Sequence, residues 1–163
     1  MTLETFNMTQ STYTPLLSEV LKKVHNAKTK DKKVEILKEH DTEPLRMVIK
    51  SSFDPNIKWK LPKGEVPFIA NEAAEGTEHT ILAKEARKLF NFIEGGNDSL
   101  AGFKRENMFV QMLEGLHKSE ADLIIAAKDK KLHQVYKGLS AAVVKEAFNW
   151  NDAFVKNEGN TNV

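Results

Sequence analysis

The residues in this sequence best suited to chemistry are lysines set at helix ends. Lys28, Lys30, Lys32 and Lys33 surround the expected start of a helix at Thr29. Lys128, Lys130 and Lys131 follow a second helix, and Lys137 precedes Gly138 and Ser140 at the start of a third. Lys58 and Lys60 alternate with Ile57, Trp59 and Leu61 in a stretch that reads as extended. Ammonium groups and open helix N–H groups are the donors that take phosphate oxygens. The four lysines around Thr29 run against the preference of a helix N-terminus for anions, a local conflict of the kind found at sites. The same lysines also read as ordinary solvated helix ends.

Other chemistries find little support. His25, His40, His79, His117 and His133 lie far apart, with no two of them at the i, i+3 or i, i+4 spacing of paired metal ligands. The chain has no cysteine, which excludes disulfides, thiolate metal sites and cysteine nucleophiles. It has no glycine-rich phosphate loop and no Gly-x-Ser-x-Gly elbow. Glu72 and Glu75 read as solvated loop carboxylates. No enzymatic activity, cofactor or metal is expected. At 163 residues, with 40% apolar and 29% charged content, the chain suits one globular domain, and no apolar run approaches the roughly 20 residues of a membrane span. The opening stretch is polar and contains Glu4, unlike a signal peptide.

Net charge is +1, too little for a protein that simply coats nucleic acid, but it is unevenly spread. Residues 1–63 carry a balance of +4, residues 64–122 of −5 and residues 123–163 of +2. If the two basic ends meet in space, one face is positive while the whole stays near neutral.

The elements that must position these groups are helical. Residues 1–13 have no period and read as a flexible arm. Thr14-Pro15 predicts a helix start, with Leu16, Leu17, Val20, Leu21 and Val24 as its apolar stripe. Thr29 and Thr42 cap the next two helices. Residues 53–78 hold three prolines and two glycines and read as a long loop with at most a short strand, pinned to the core by Trp59. A long helix is predicted from His79 or Thr80 to Glu94, with Leu82, Ala86, Leu89, Phe90 and Ile93 inward and Gly95-Gly96 as its stop. Phe109, Met112, Leu113 and Leu116 mark another helix. The next is expected to open on Ser119, with Asp122 completing a capping box. Leu123, Ile124, Ile125, Ala126 and Ala127 make it apolar nearly all round, as a central helix is. Its lysine-rich end is expected at the surface. A last helix follows Ser140 through Val143, Val144, Ala147 and Phe148, and residues 151–163 read as a flexible tail. The sum is an all-α fold, a compact bundle of six to seven helices forming one domain over 14–150.

The order of these features resembles the N-terminal α-helical DNA-binding domain of the ATP-dependent DNA ligases of T-even phages. The resemblance spans residues 16–148. It is carried by the order and spacing of Ala27-Lys28-Thr29-Lys30-Asp31-Lys32-Lys33-Val34, Leu45-Arg46, Ile57-Lys58-Trp59-Lys60-Leu61-Pro62-Lys63, Phe92-Ile93-Glu94, Leu113-Glu114 and Gly138-Leu139-Ser140. The chain also resembles small proteins of T-even-like phages, including those of marine cyanobacteria. It departs from them at Asn149-Trp150-Asn151, where a Pro-Gly-Leu-Ile turn is usual. The lysine-x-Asp-Gly motif of ligase nucleotidyl transfer is absent.

The resemblance implies a free-standing, non-catalytic module that holds double-stranded DNA, nicked duplex included, through backbone contacts at helix N-termini. The host cytoplasm of an infected bacterium is the place it implies. The positions it points to are Thr29, Lys30, Lys32, Lys137, Gly138 and Ser140. Lys33, Lys58, Lys60, Lys128, Lys130 and Lys131 join them from charge placement. The alternative is an adaptor for a phage or host protein, or a virion component, that keeps the fold without the DNA role. It would use apolar residues such as Trp59, Phe68 and Ile69, or Trp150 and Phe154. The DNA reading gains if residues 28–33, 58–63 and 128–140 share a face; an exposed apolar patch favours a protein partner.

Overall fold

A computed structural model of the chain describes residues 14–71 and 78–158. The expected arm over 1–13, the loop carboxylates Glu72 and Glu75, and residues 159–163 of the expected tail lie outside the described residues. The described chain is all-α, with eight α-helices, one 3₁₀ helix and no strand longer than an isolated bridge. They are α1 (Leu17–Asn26), α2 (Lys30–Glu39), α3 (Glu43–Phe53), α4 (Leu82–Glu85), the 3₁₀ helix (Ala86–Phe92), α5 (Gly102–Gly115), α6 (Lys118–Lys128), α7 (Leu132–Val135) and α8 (Ala141–Phe148). Among the described residues, no helix is long and apolar enough to cross a membrane.

α1 buries Leu17, Val20, Leu21 and Val24, the i, i+3, i+4, i+7 stripe of an amphipathic helix. It starts two residues later than Thr14-Pro15 predicts, because its first amides find carboxylates instead. Leu16 N–H donates to Glu19 (2.7 Å) and Leu17 N–H to the distant Glu120 (2.9 Å). Thr29 and Thr42 do cap α2 and α3, their hydroxyls accepting from the amides of Lys32 (3.2 Å) and Leu45 (3.4 Å).

α6 is the central helix. It packs against α1, α3, α5 and α7, and it buries Ala121, Leu123, Ile124, Ala126 and Ala127. Ser119 does not open it. His117 is the cap, its Nδ1 accepting from the Ser119 amide at 3.1 Å, and Asp122 pairs with Lys118 (2.8 Å) rather than completing a box. Glu120 is wholly buried within α6 and accepts from the first amides of both α1 and α4, Leu17 and Leu82, each at 2.9 Å. One carboxylate thus holds two helix N-termini against the central helix.

The predicted long helix to Glu94 is instead a single turn of α4 followed by the 3₁₀ helix. Ala86, Leu89 and Phe92 are buried at spacing three, the period of a 3₁₀ helix, and Phe90 is exposed. The 3₁₀ helix ends because Ile93 is drawn into an antiparallel bridge with Trp59. Lys60 N–H donates to Phe92 O (2.7 Å), and Glu94 N–H to Lys58 O (2.8 Å). Gly95 then turns the chain at a φ of 86°. Trp59 pins the loop as expected, its indole N–H donating to Ser51 O (3.0 Å) and its ring meeting Phe109 edge-on.

The domain does not end at 150. Trp150 bridges to Lys156, and Phe154 is buried against Trp150 and Phe53. Trp150 and Phe154 therefore belong to the core and are not an exposed apolar face.

Candidate nucleic-acid interface

The lysines named from sequence fall into two groups. The first forms where α2 and α8 pack together. Thr29 caps α2, and Ser140 caps α8, its hydroxyl accepting from Val143 N–H at 3.2 Å. The 137–140 turn seats on the end of α1, where Lys137 N–H donates to His25 Nδ1 at 2.9 Å. Gly138 lies so close to Val24 and Lys33 that a Cβ there would stand 2.8 Å from Val24 O and 2.7 Å from Lys33 Cε. The basic turn at 28–33 and the turn at 137–140, a hundred residues apart in sequence, thus form one surface.

The lysines on this surface differ in freedom. Lys28, Lys32 and Lys137 are exposed. Lys30 pairs with Glu146 on α8 at 3.2 Å, with both side chains about half exposed. Lys33 is half-buried, and its ammonium donates to Ala27 O, closing the turn from α1. The first amides of each helix, Lys30 and Asp31 in α2 and Ala141 and Ala142 in α8, have no acceptor within their own helix. Such amides, with flanking ammonium groups, take phosphate oxygens without reference to base identity.

The second group is built differently from the sequence expectation. Lys128 is not a surface cation. It is 2% exposed, and its ammonium donates to Pro62 O (2.6 Å), Gly64 O (3.2 Å) and Asp129 (2.7 Å). Lys130 takes a left-handed φ of 62° and donates to Asp54 O at 2.7 Å. Its burial pulls the ammonium below the usual lysine range, against the opposing charge of Asp54. The end of α6 therefore turns two of its three lysines inward to hold the long loop and the end of α3, leaving Lys131 exposed. Lys58 is exposed, while Lys60 pairs with Asp98 at 3.2 Å. The Gly95 amide and then the Lys60 ammonium hold the Asp98 carboxyl below the usual carboxylate range.

His25 and Glu146 were missed as parts of this surface, and nothing local to either residue signals that it joins elements far apart in sequence. Among the described residues, no group of histidine and carboxylate side chains is placed to hold a metal ion.

No curated protein and no solved structure matches the chain. The model of DUF6433, a family of unknown function, matches residues 20–134, from within α1 to within α7. The match takes in the basic turn at 28–33 and stops short of the turn at 137–140. Covering well over half of the 163 residues, it establishes that the chain belongs to the DUF6433 family.

Proposed function

We propose that this protein is a non-catalytic module that binds duplex DNA through its phosphate backbone, without base readout. The observation that carries the reading is the seating of the 137–140 turn against His25, Val24 and Lys33, which sets the start of α8 beside the basic turn that opens α2, with Lys28, Lys32 and Lys137 exposed on these two turns. The resemblance to the DNA-binding domain of T-even phage ligases supports the same two turns, and with them a role in the cytoplasm of a phage-infected bacterium. The contact is small: Glu146 engages Lys30, and Lys33, Lys128 and Lys130 are committed to backbone carbonyls.

The test is binding of the full chain to labelled nicked and intact duplexes between about 50 and 200 mM salt. With roughly four phosphates engaged, affinity falls about a hundredfold over that range. The double substitution Lys32→Glu with Lys137→Glu abolishes binding if this surface carries it. Wild-type levels of binding by that variant refute the assignment.

A protein-binding role has one specific observation in its favour. Ile69 and Phe103 are 80% and 74% exposed, and a hollow of about 280 Å³ beneath the long loop is lined by Leu61, Val66 and Val110. Duplex binding absent at the lower salt would turn the reading to these apolar residues.

A further inference from the structure

A second basic surface uses none of the residues assigned to DNA from sequence. It is the outer face of α3, where Glu43, Arg46, Met47 and Lys50 follow one another at i, i+3, i+4 and i+7. Two shallow hollows share Glu43 and Met47. One, of about 500 Å³, runs to Lys84 and Arg87 at the start of α4 and the 3₁₀ helix. The other, of about 300 Å³, runs past Arg46 and Lys50 to Lys156 beyond α8. Five cations therefore border two adjoining, open hollows that share Met47 and Glu43, the acidic residue lining both.

Some of this charge is already engaged. Arg46 pairs with Asp41, and Lys50 stands 4.0 Å from Asp54. Lys84, Arg87 and Lys156 are exposed, and among the described residues no carboxylate pairs with them. The surface thus keeps a net positive charge although the sequence balance of 64–122 is acidic.

We propose that this face of α3 is a second contact for the phosphate backbone of duplex DNA. It rests on the DNA reading above but uses none of its residues. The length fits: the face from Glu43 to Lys50 spans about 10 Å at the rise of a helix, roughly three base-pair rises along the duplex axis at about 3.4 Å each. The shape fits as well. The hollows are open and shallow, which suits a backbone lying across them and not a side chain inserted from a protein. Arg87 and Arg46 offer planar forks for phosphate oxygens, and Lys84 and Lys156 offer point charges on flexible stems.

The test uses the full chain, a labelled nicked duplex and two variants confirmed as folded by their melting curves. The first is Lys84→Ala with Arg87→Ala and Lys156→Ala. The second is Lys32→Glu with Lys137→Glu at the two-turn surface. If both surfaces bind, the first variant loses at least tenfold in affinity at about 100 mM salt, and its salt slope falls by roughly three phosphates' worth, about 2.7. An unchanged affinity and slope in that variant, with binding lost in the second, overturns the α3 contact and leaves the two-turn reading standing. The opposite pattern supports the α3 contact and refutes the two-turn surface. A wild-type chain that fails to bind duplex at about 50 mM salt overturns both. Poly-glutamate that competes as well as duplex at equal charge overturns the α3 proposal in favour of an acidic protein.

Discussion

Lys128 separates a lysine that serves the fold from one that serves a ligand. The perturbation is Lys128→Met, which keeps the length of the stem and removes the ammonium. That ammonium donates to Pro62 O, Gly64 O and Asp129, and the side chain is almost wholly buried. A hydrogen bond from a charged donor contributes about 1.5–3 kcal/mol. Breaking a fully buried ion pair costs about 3–5 kcal/mol. Two features reduce the loss here. Pro62 and Gly64 are exposed, so water can reach their carbonyls once the ammonium is gone, and Asp129 keeps the Gly64 amide at 3.1 Å. The expected destabilisation is therefore about 2–4 kcal/mol, or roughly 5–15 °C in melting temperature for a chain of this size. Urea unfolding measures it, and hydrogen exchange at the Gly64 amide reports whether the loop has come away. The salt slope of DNA binding stays unchanged, because Lys128 reaches no phosphate. A loss of less than about 0.5 kcal/mol in stability, or a slope lower by about 0.9, would refute the assignment of Lys128 to the fold.

Two further substitutions test the joints of the bundle. Glu120→Gln retains one acceptor for the Leu17 and Leu82 amides and turns its amide group toward the other, costing about 2–3 kcal/mol in chemical denaturation. Burial raises the Glu120 carboxyl above its ordinary 4.5 despite the two amides. The native state therefore holds that proton more tightly than the unfolded chain. Its contribution is complete below about 4.5 and shrinks as pH rises through the folded value. The stability gap between wild type and Glu120→Gln accordingly narrows from acidic to neutral pH, and a gap that widens contradicts the account. Gly138→Ala sets a Cβ against Val24 O and Lys33. It should cost about 1–3 kcal/mol and weaken duplex binding by parting the two turns. A variant that melts and binds like wild type would show that the junction is not tight.

Where one period governed an element, the sequence was legible. The stripe of α1, the threonine caps of α2 and α3 and the all-round apolar character of α6 follow from local rules, and the structure repeats them. Apart from the cap of α6, where His117 displaces Ser119 locally, the failures share a cause, which is competition from a distant partner. The start of α1 moved because Glu120 supplies an acceptor from 103 residues away. The predicted long helix gave way to a 3₁₀ helix because Ile93 pairs with Trp59, and the apolar residues at 86, 89 and 92 fit a period of three as well as one of 3.6. Phe154 looked like part of a tail because its partners, Trp150 and Phe53, meet it only after the chain turns at Asn149.

The lysines show why a site of this kind is harder to read than a core. An apolar residue at a regular spacing has one favourable destination, the interior. A lysine has two, because its long stem can lie on the protein while its ammonium reaches either solvent or a carbonyl. Lys128, Lys130 and Lys131 are near neighbours in sequence, yet two turn inward and one stays out. The neighbouring segments differ: Lys128, still inside α6, reaches the carbonyls of Pro62 and Gly64 in the long loop, whereas Lys130, left-handed just past the helix, reaches Asp54 O at the end of α3. The count of basic residues in a turn therefore overstates the charge available to a ligand wherever an irregular segment lies nearby. At α3 the surface is assembled from three parts of the chain, and Lys84 and Arg87 come from a stretch whose overall balance is negative. A basic surface follows from which cations lack a carbonyl or carboxylate within reach, and that is a property of the folded chain.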